Sequence, residues 1–412
     1  MNTNKRRLMS IFITEKNVSN KNDRTHSERA NVNMKRKVTI LMALVLIISI
    51  FTPSFDVKGE GMDVTAPSAV LMEYSSGQIL FEKNSHEQRS CASITKVMTL
   101  ILTFEAIEEG KLTLDEQLTA SAHAESMGGS DIWLKEGEVM SVDDLLKATV
   151  IMSANDAAVV LAEKVSGSED AFVQKMNEKA AQLGMLDTVF KNCNGLDEEG
   201  HVTSAHDVAL MSRELMKYPK VFEYTGTWID SLRNGETQLV NTNKLIRSYK
   251  GITGLKTGTT GQAKSCISAT AERDNMSLIA VVLGAENTND RFKDAAALLD
   301  YGFANWSITI PELPFIDAVE ITRGMADEIS VEIADSAPPL LMQGVSEENI
   351  ETEIVLLPEL TAPIEIGQIV GKIEYSVNGE KIAEIDVKST EKVEGITFSS
   401  SFFYLLRSFI SI

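Results

Sequence analysis

A lysine stands in a stretch otherwise written for a protein core. From Cys91 the chain reads CASITKVMTL and continues ILTFEAIEEG, and apart from Lys96 and a few hydroxyls the first fifteen or so residues are those of a buried helix. Burying an ammonium is costly unless the group is paired or gives up its proton. Any fold this chain adopts must therefore satisfy that amine or put it to use.

If Ser93 begins a helix, Lys96 lies one turn on and on the same face, so the amine reaches the serine hydroxyl. A partly desolvated lysine loses basicity and can act as a general base, which is how an unreactive serine becomes a nucleophile. The hydroxyl would also sit at the positive end of the helix dipole, where an oxyanion is stabilised. Alone, the pattern is cheap: roughly one or two copies are expected in a chain of this length, and Ser389 with Lys392 forms another at a polar strand end. Ser153-Ala154-Asn155 likewise has a double in Ser376-Val377-Asn378, which reads as a hairpin turn. Lys256-Thr257-Gly258 occurs once, against about 0.1 expected by chance. Order and context supply the specificity, since Ser93, Ser153 and Lys256 follow at separations of 60 and 103 residues, each in an element suited to its role.

With 412 residues, 43% of them hydrophobic and 24% charged, the chain has material for two or three domains. Residues 1–33 are polar, basic and aperiodic, and are expected to be a disordered leader. Met34-Lys35-Arg36-Lys37 and the apolar run VTILMALVLIISIF that follows have the charged head and short hydrophobic middle of a secretory signal, assigned to 34–58. The run is too short to span a bilayer comfortably, and it lacks the polar face of a core helix. Met34 would open a conventional signal by itself, which makes the preceding residues a candidate misplaced start. Ten of the 39 basic residues and three of the 59 acidic ones lie in residues 1–37, so the remainder is more acidic than the net charge of −20 suggests. Without a basic patch for phosphates, DNA and RNA are not expected as partners. Cys91, Cys193 and Cys266 lack metal-ligand spacing, and their odd number leaves room for one bridge at most. No metal or cofactor is expected. His86, His123, His201 and His206 show no partner pattern for a serine–histidine triad and read as surface or capping residues.

Residues 64–83 look like two short strands joined around Ser76-Gly77. From about 93 to 220 apolar residues recur at three and four spacing, which argues for a helical cluster, and 237–285 returns to strand-like runs such as SLIAVVLGA. These segments make a first domain of 62–306. After Trp306, Pro311, Pro314, Pro338, Pro339, Pro358 and Pro363 punctuate short β-rich runs, and Asn378-Gly379 between alternating runs signals a hairpin. Residues 307–392 are expected to form a separate small all-β domain. The tail, 399–412, is apolar at most positions, and its expected role is an amphipathic segment lying in a membrane interface rather than one docked on its own β domain.

The triple Ser93…Lys96, Ser153…Asn155 and Lys256-Thr257-Gly258 is shared by penicillin-binding proteins and class A β-lactamases. With GSDIWLKEGE, NTNKLI and GLKTGTTGQAKSCISATAERDNMSLIAVVLGAENTNDRF, the chain resembles the low-molecular-mass penicillin-binding proteins that act as serine-type D-alanyl-D-alanine carboxypeptidases. The resemblance runs from about residue 64 to the tail. It implies an α+β, β-lactamase/transpeptidase-like domain with a helical cluster on an antiparallel sheet, then a small all-β domain and a C-terminal amphipathic helix. It also implies an exported enzyme at the extracytoplasmic face of the membrane, taking peptidoglycan stem peptides as substrate and β-lactams as covalent inhibitors.

Roles follow the same resemblance. Ser93 attacks the carbonyl of the penultimate D-alanine, Lys96 takes its proton, and Ser153 relays a proton between lysines and the leaving amine. Asn155 holds Lys96 and the substrate amide. Lys256 and Thr257 meet the terminal carboxylate from an edge strand, Gly258 permits close approach, and the N–H groups of Ser93 and Thr259 form the oxyanion hole. Arg291 is a candidate second carboxylate contact, with an exposed helix-start arginine as its other reading. Two positions depart from the family pattern: Cys91 stands where many relatives have proline, and Thr242 replaces an arginine seen in some. A class A β-lactamase is the alternative hydrolase, but MLDTVFKNCNG at 185–195 lacks the glutamate that would activate a deacylating water. A non-catalytic cell-wall binding protein is the alternative outside enzymes.

Overall fold

The computed structural model describes residues 62–333, 337, 340–344, 349–399, 401–403 and 406. The expected leader and signal segment, 1–58, and most of the tail lie outside the described residues.

A five-stranded antiparallel sheet organises the larger part. Its order is Ile79–Lys83, Ser68–Glu73, Met276–Ala285, Lys264–Arg273, Ile252–Thr260, so the hairpin expected at 64–83 joins strands from the far end of the domain. Register is set by apolar pairs such as Leu71 with Ala280 and Val70 with Val281. Met276–Ala285 is apolar at nearly every position because both its faces are covered. Leu278, Ala280 and Val282 pack under the C-terminal helix Thr288–Asn305 with Leu298 and Leu299, whereas Ile279, Val281 and Leu283 face the helical cluster. A sheet buried on both sides loses the in–out alternation of a half-exposed one.

The helical cluster is inserted between residues 84 and 251. At its centre runs Lys96–Glu108, buried from Lys96 through Phe104, which is why no polar face marks it in the sequence. Asn155–Ser166 and Ala205–Leu215 pack against it. Serine caps fix several entries: Ser141, Ser168 and Ser204 accept from the backbone N–H groups of Asp144, Ala171 and Asp207. Two short strands, Gln117–Thr119 and Val139–Ser141, interrupt the helices where the spacing alone suggested none.

After a short pairing of Trp306–Thr309 with Leu340–Gln343, the chain forms a four-stranded antiparallel sheet ordered Val331–Ile333, Glu380–Ser389, Ile369–Val377, Ile350–Leu356. Its own core gathers Val370, Ile373, Tyr375, Ile385 and Val387. Asn378 and Gly379 take φ of 53° and 78° at the hairpin tip, the left-handed pair a two-residue turn requires. The second Ser-x-Asn is therefore a turn. The second Ser…Lys pair is inert as well: Ser389 Oγ donates to the Glu391 carbonyl and Lys392 pairs with Glu365.

Candidate active site

Ser93 lies in a 3-10 turn, Ala92–Thr95, and the α-helix proper starts at Lys96. This corrects a helix opening at Ser93, yet it keeps the two side chains on one face. Ala92 has a φ of 51°, a region costly for a residue with a Cβ. Close packing maintains it. A Cβ on Gly195 would come within 2.0 Å of the Ala92 carbonyl oxygen, and one on Gly258 within 2.6 Å of the Cys91 carbonyl oxygen and 2.9 Å of the Ser93 nitrogen. Gly258 is needed so that the edge strand can abut the nucleophile turn, a constraint beyond ligand approach.

The Lys96 side chain is fully buried. Its Nζ donates to Asn155 Oδ1 and to the Asn194 carbonyl oxygen, each at 2.6 Å, and lies 3.1 Å from Ser93 Oγ. A neutral amine has two N–H bonds and one lone pair. Two carbonyl oxygens take the N–H bonds, which leaves the lone pair to accept the Ser93 O–H. Burial pulls the Lys96 pKa down to about 7 against the opposing pull of Cys193, Asp131 and Asp156. Cys193 is itself held well above the ordinary thiol range by burial, so near neutral pH it carries no charge that would support the cation. The preference for the uncharged form amounts to roughly 5 kcal/mol relative to a lysine in water.

Ser153 and Asn155 come from the break between a π-turn, Ala148–Met152, and the helix Asn155–Ser166. Ser153 takes φ 67° and ψ 32°, and such π-turns and left-handed residues recur at functional sites because they aim a side chain off the helix track. Asn155 spans two elements: Oδ1 accepts from Lys96, and Nδ2 donates to the Gly128 carbonyl at 2.6 Å. Next to it, Asp156 clasps the same loop by accepting from the N–H groups of Ile132 and Leu134.

The edge strand Ile252–Thr260 closes the other side. Lys256 is buried, and its Nζ donates to Ser153 Oγ at 2.8 Å and to the Thr257 carbonyl at 3.1 Å. Burial, then Lys96 and Arg291, hold the Lys256 pKa well below the usual lysine range. Thr257 Oγ1 donates to Thr242 Oγ1 at 2.6 Å, so the threonine in place of an arginine is a direct neighbour of the Lys256-Thr257-Gly258 motif. Arg291 is neither exposed nor at liberty. It is 5% exposed and donates through one terminal nitrogen to the Gly258 carbonyl, Thr259 Oγ1 and the Cys266 carbonyl. The exposed helix-start reading fails because the first turn of Thr288–Asn305 packs behind the edge strand. The cation braces Gly258 and Thr259 from within.

The structure thus brings Ser93, Lys96, Ser153, Asn155, Lys256, Thr257, Gly258 and Thr259 together between the helical cluster and the sheet edge, with Arg291 behind the strand rather than among them. Sequence reading missed the Asn194 carbonyl, because a backbone acceptor leaves no side-chain signature. It also misplaced His201. That ring is 4% exposed, accepts from the Lys191 N–H at Nδ1 and therefore donates from Nε2 to Thr95 Oγ1 at 2.8 Å. Burial pushes its pKa down to about 4, so it is a neutral brace behind the nucleophile turn. All three cysteines are free and buried, and burial raises the Cys91 thiol to about 11. Among the described residues no cluster of His, Cys, Asp or Glu could hold a metal.

Comparison with known proteins gives a consistent picture. Residues 55–287 match the family described as D-alanyl-D-alanine carboxypeptidase, Peptidase S11, and residues 317–395 match the C-terminal domain of penicillin-binding protein 5. The chain is similar to the D-alanyl-D-alanine carboxypeptidase DacF of Bacillus subtilis, with 39% identity over 89% of this chain and 96% of that protein. Among solved structures it is similar to penicillin-binding protein 5 of Haemophilus influenzae, with a TM-score of 0.71 and 28% identity over 81% of this chain and 98% of that one. It also resembles the ampicillin-bound penicillin-binding protein D2 of Listeria monocytogenes, with a TM-score of 0.54 and 34% identity over 59% of this chain and 99% of that one.

Proposed function

Since this chain belongs to the D-alanyl-D-alanine carboxypeptidase family, peptidase S11, we infer that Ser93 is its nucleophile and that a neutral Lys96 is the base that activates it. The protein is a serine D-alanyl-D-alanine carboxypeptidase of peptidoglycan, and it works outside the cytoplasm. One observation carries the mechanistic assignment: Lys96 Nζ has two carbonyl acceptors and the Ser93 hydroxyl as its third neighbour.

In the acylation step, Ser93 Oγ bonds to the carbonyl carbon of the penultimate D-alanine while its proton passes to Lys96. The developing oxyanion is received by the N–H groups of Ser93 and Thr259, which Gly258 and Arg291 keep adjacent. Collapse breaks the peptide C–N bond, and the departing D-alanine amine takes, through Ser153, the proton that Lys96 had accepted, which returns Lys96 to its neutral form while Lys256 holds Ser153 by donating to it. The substrate carboxylate, arriving beside Lys256 and Thr257, favours the charged form of Lys256, whereas burial and the neighbouring Lys96 and Arg291 disfavour it. Water then attacks the acyl carbon, with Lys96 again as base, and frees Ser93 and the shortened stem peptide.

β-Lactams enter the same sequence as covalent inhibitors that are released slowly. The strand Ile252–Thr260 is an edge, so an extended stem peptide can pair with it through the backbone. Phe398, Phe402, Phe403 and Leu406 are exposed at the start of the tail, which supports its contact with a membrane interface. Among the described residues no helix is long and apolar enough to cross a membrane.

The assay pair is a fluorescent penicillin and D-alanine release from a pentapeptide. A lasting label together with turnover is the expected result; rapid drug hydrolysis would indicate a β-lactamase, and neither label nor turnover a binding protein. Gly258→Ala is expected to slow labelling about 10²-fold by pushing the edge strand off the nucleophile turn. Labelling at the wild-type rate would refute that packing constraint.

A further inference from the structure

We propose that Glu169 is a positioning residue for the catalytic amine, a carboxylate that fastens the loop carrying one acceptor of Lys96, the Asn194 carbonyl, to the loop that holds the other, Asn155; this rests on Lys96 being the base. Glu169 opens the helix Glu169–Gln182, capped by Ser168, where the helix dipole favours a negative charge. Its Oε1 accepts from the Cys193 N–H at 2.9 Å, and its Oε2 lies 2.6 Å from His123 Nε2.

Each contact leads to one of the lysine's acceptors. On the first side, the Cys193 carbonyl accepts from Thr99 Oγ1 at 2.5 Å, one turn along the helix from Lys96, and the following carbonyl, that of Asn194, accepts from Lys96 itself. On the second side, His123 sits in the short helix Ala122–Glu125, from which the chain runs through Met127 to Gly128. The Gly128 carbonyl holds Asn155 Nδ2, and Asn155 Oδ1 accepts from Lys96. The two loops also touch directly, since Asn194 Nδ2 donates to Met127 Sδ at 3.5 Å. Glu169 touches neither Ser93 nor Lys96. It keeps two peptide segments at a fixed separation, so that both N–H acceptors stay in place and the lone pair keeps facing Ser93. Without it the buried Cys193 N–H would lose its partner, and the loop would shift to find water.

The test compares Glu169→Ala and Glu169→Gln in the whole protein, reading the rate of fluorescent-penicillin acylation, kcat and KM for D-alanine release, and thermal melting. Glu169→Ala is expected to lower acylation and kcat about 10²-fold with KM within about threefold, because misplacement by an ångström is worth that much. Glu169→Gln keeps an oxygen for the Cys193 N–H and is expected to recover to within about tenfold of wild type. Retained kcat in the alanine variant, equal losses in both variants, or a loss confined to KM would overturn the proposal. Should Glu169→Ala fail to fold, His123→Ala cuts one side of the bridge, and several-fold lower kcat at unchanged KM is expected; unchanged kcat would overturn it. Lys96→Met, run in parallel, separates the two claims. Inactivity there beside full activity in Glu169→Ala removes only the positioning role, whereas full acylation in Lys96→Met removes the base assignment.

Discussion

Ser93→Ala is expected to abolish covalent labelling by a fluorescent penicillin and to lower D-alanine release by about 10⁶-fold, the scale seen when a serine nucleophile is removed. The substitution is small: Ser93 is half-buried at the cleft, and its hydroxyl is engaged by Lys96 alone among the hydrogen bonds of the described residues. Folding should therefore be intact, and the melting temperature should lie close to that of the parent. Intact melting with persistent, stoichiometric label would mean that another residue carries the acyl group.

Lys96→Met is the second large effect. Methionine fills a similar volume but offers neither a basic lone pair nor N–H bonds, so Ser93 loses its proton acceptor while the oxyanion donors remain. Acylation is expected to fall about 10⁴-fold, the upper range for loss of a general base. Arginine should not rescue it, because a guanidinium stays protonated at any pH the protein survives. Rapid-quench measurement of penicillin acylation with the methionine and arginine variants distinguishes a base from a mere packing group. Comparable rates in either variant would show that the amine is not the acceptor.

Much of this site could be read from the chain because the chemistry is written in side chains. Ser93 and Lys96 needed one helical turn and Asn378-Gly379 a two-residue hairpin, both of which local spacing specifies, whereas the edge-strand placement of Lys256-Thr257-Gly258 came from the family resemblance. The division into a strand-flanked helical segment and a β-rich C-terminal domain was legible for the same reason, through the change from three-and-four spacing to proline-punctuated strands, while the α+β architecture followed from the family resemblance. What escaped depends on tertiary contact. The Asn194 carbonyl is a backbone group, the left-handed Ser153 follows a π-turn with no composition of its own, and Gly258 meets the Cys91 carbonyl from a strand far along the chain. His201 and Arg291 look like surface residues by type and are buried by packing: Phe190 stands edge-on to the His201 ring, and the sheet edge covers Arg291.

The mechanism requires an amine that sheds its proton near neutral pH, at a pKa of about 7, and the pH dependence of single-turnover acylation tests this most directly. A lysine whose pKa is lowered by burial is protonated and inactive below that pKa and becomes a base as pH rises through it. The rate of penicillin acylation is therefore predicted to climb about tenfold per pH unit below the transition and to level off above pH about 7, following loss of one proton. A rate independent of pH from 5 to 9, or one that rises only near the ordinary lysine value of about 10.4, would contradict it.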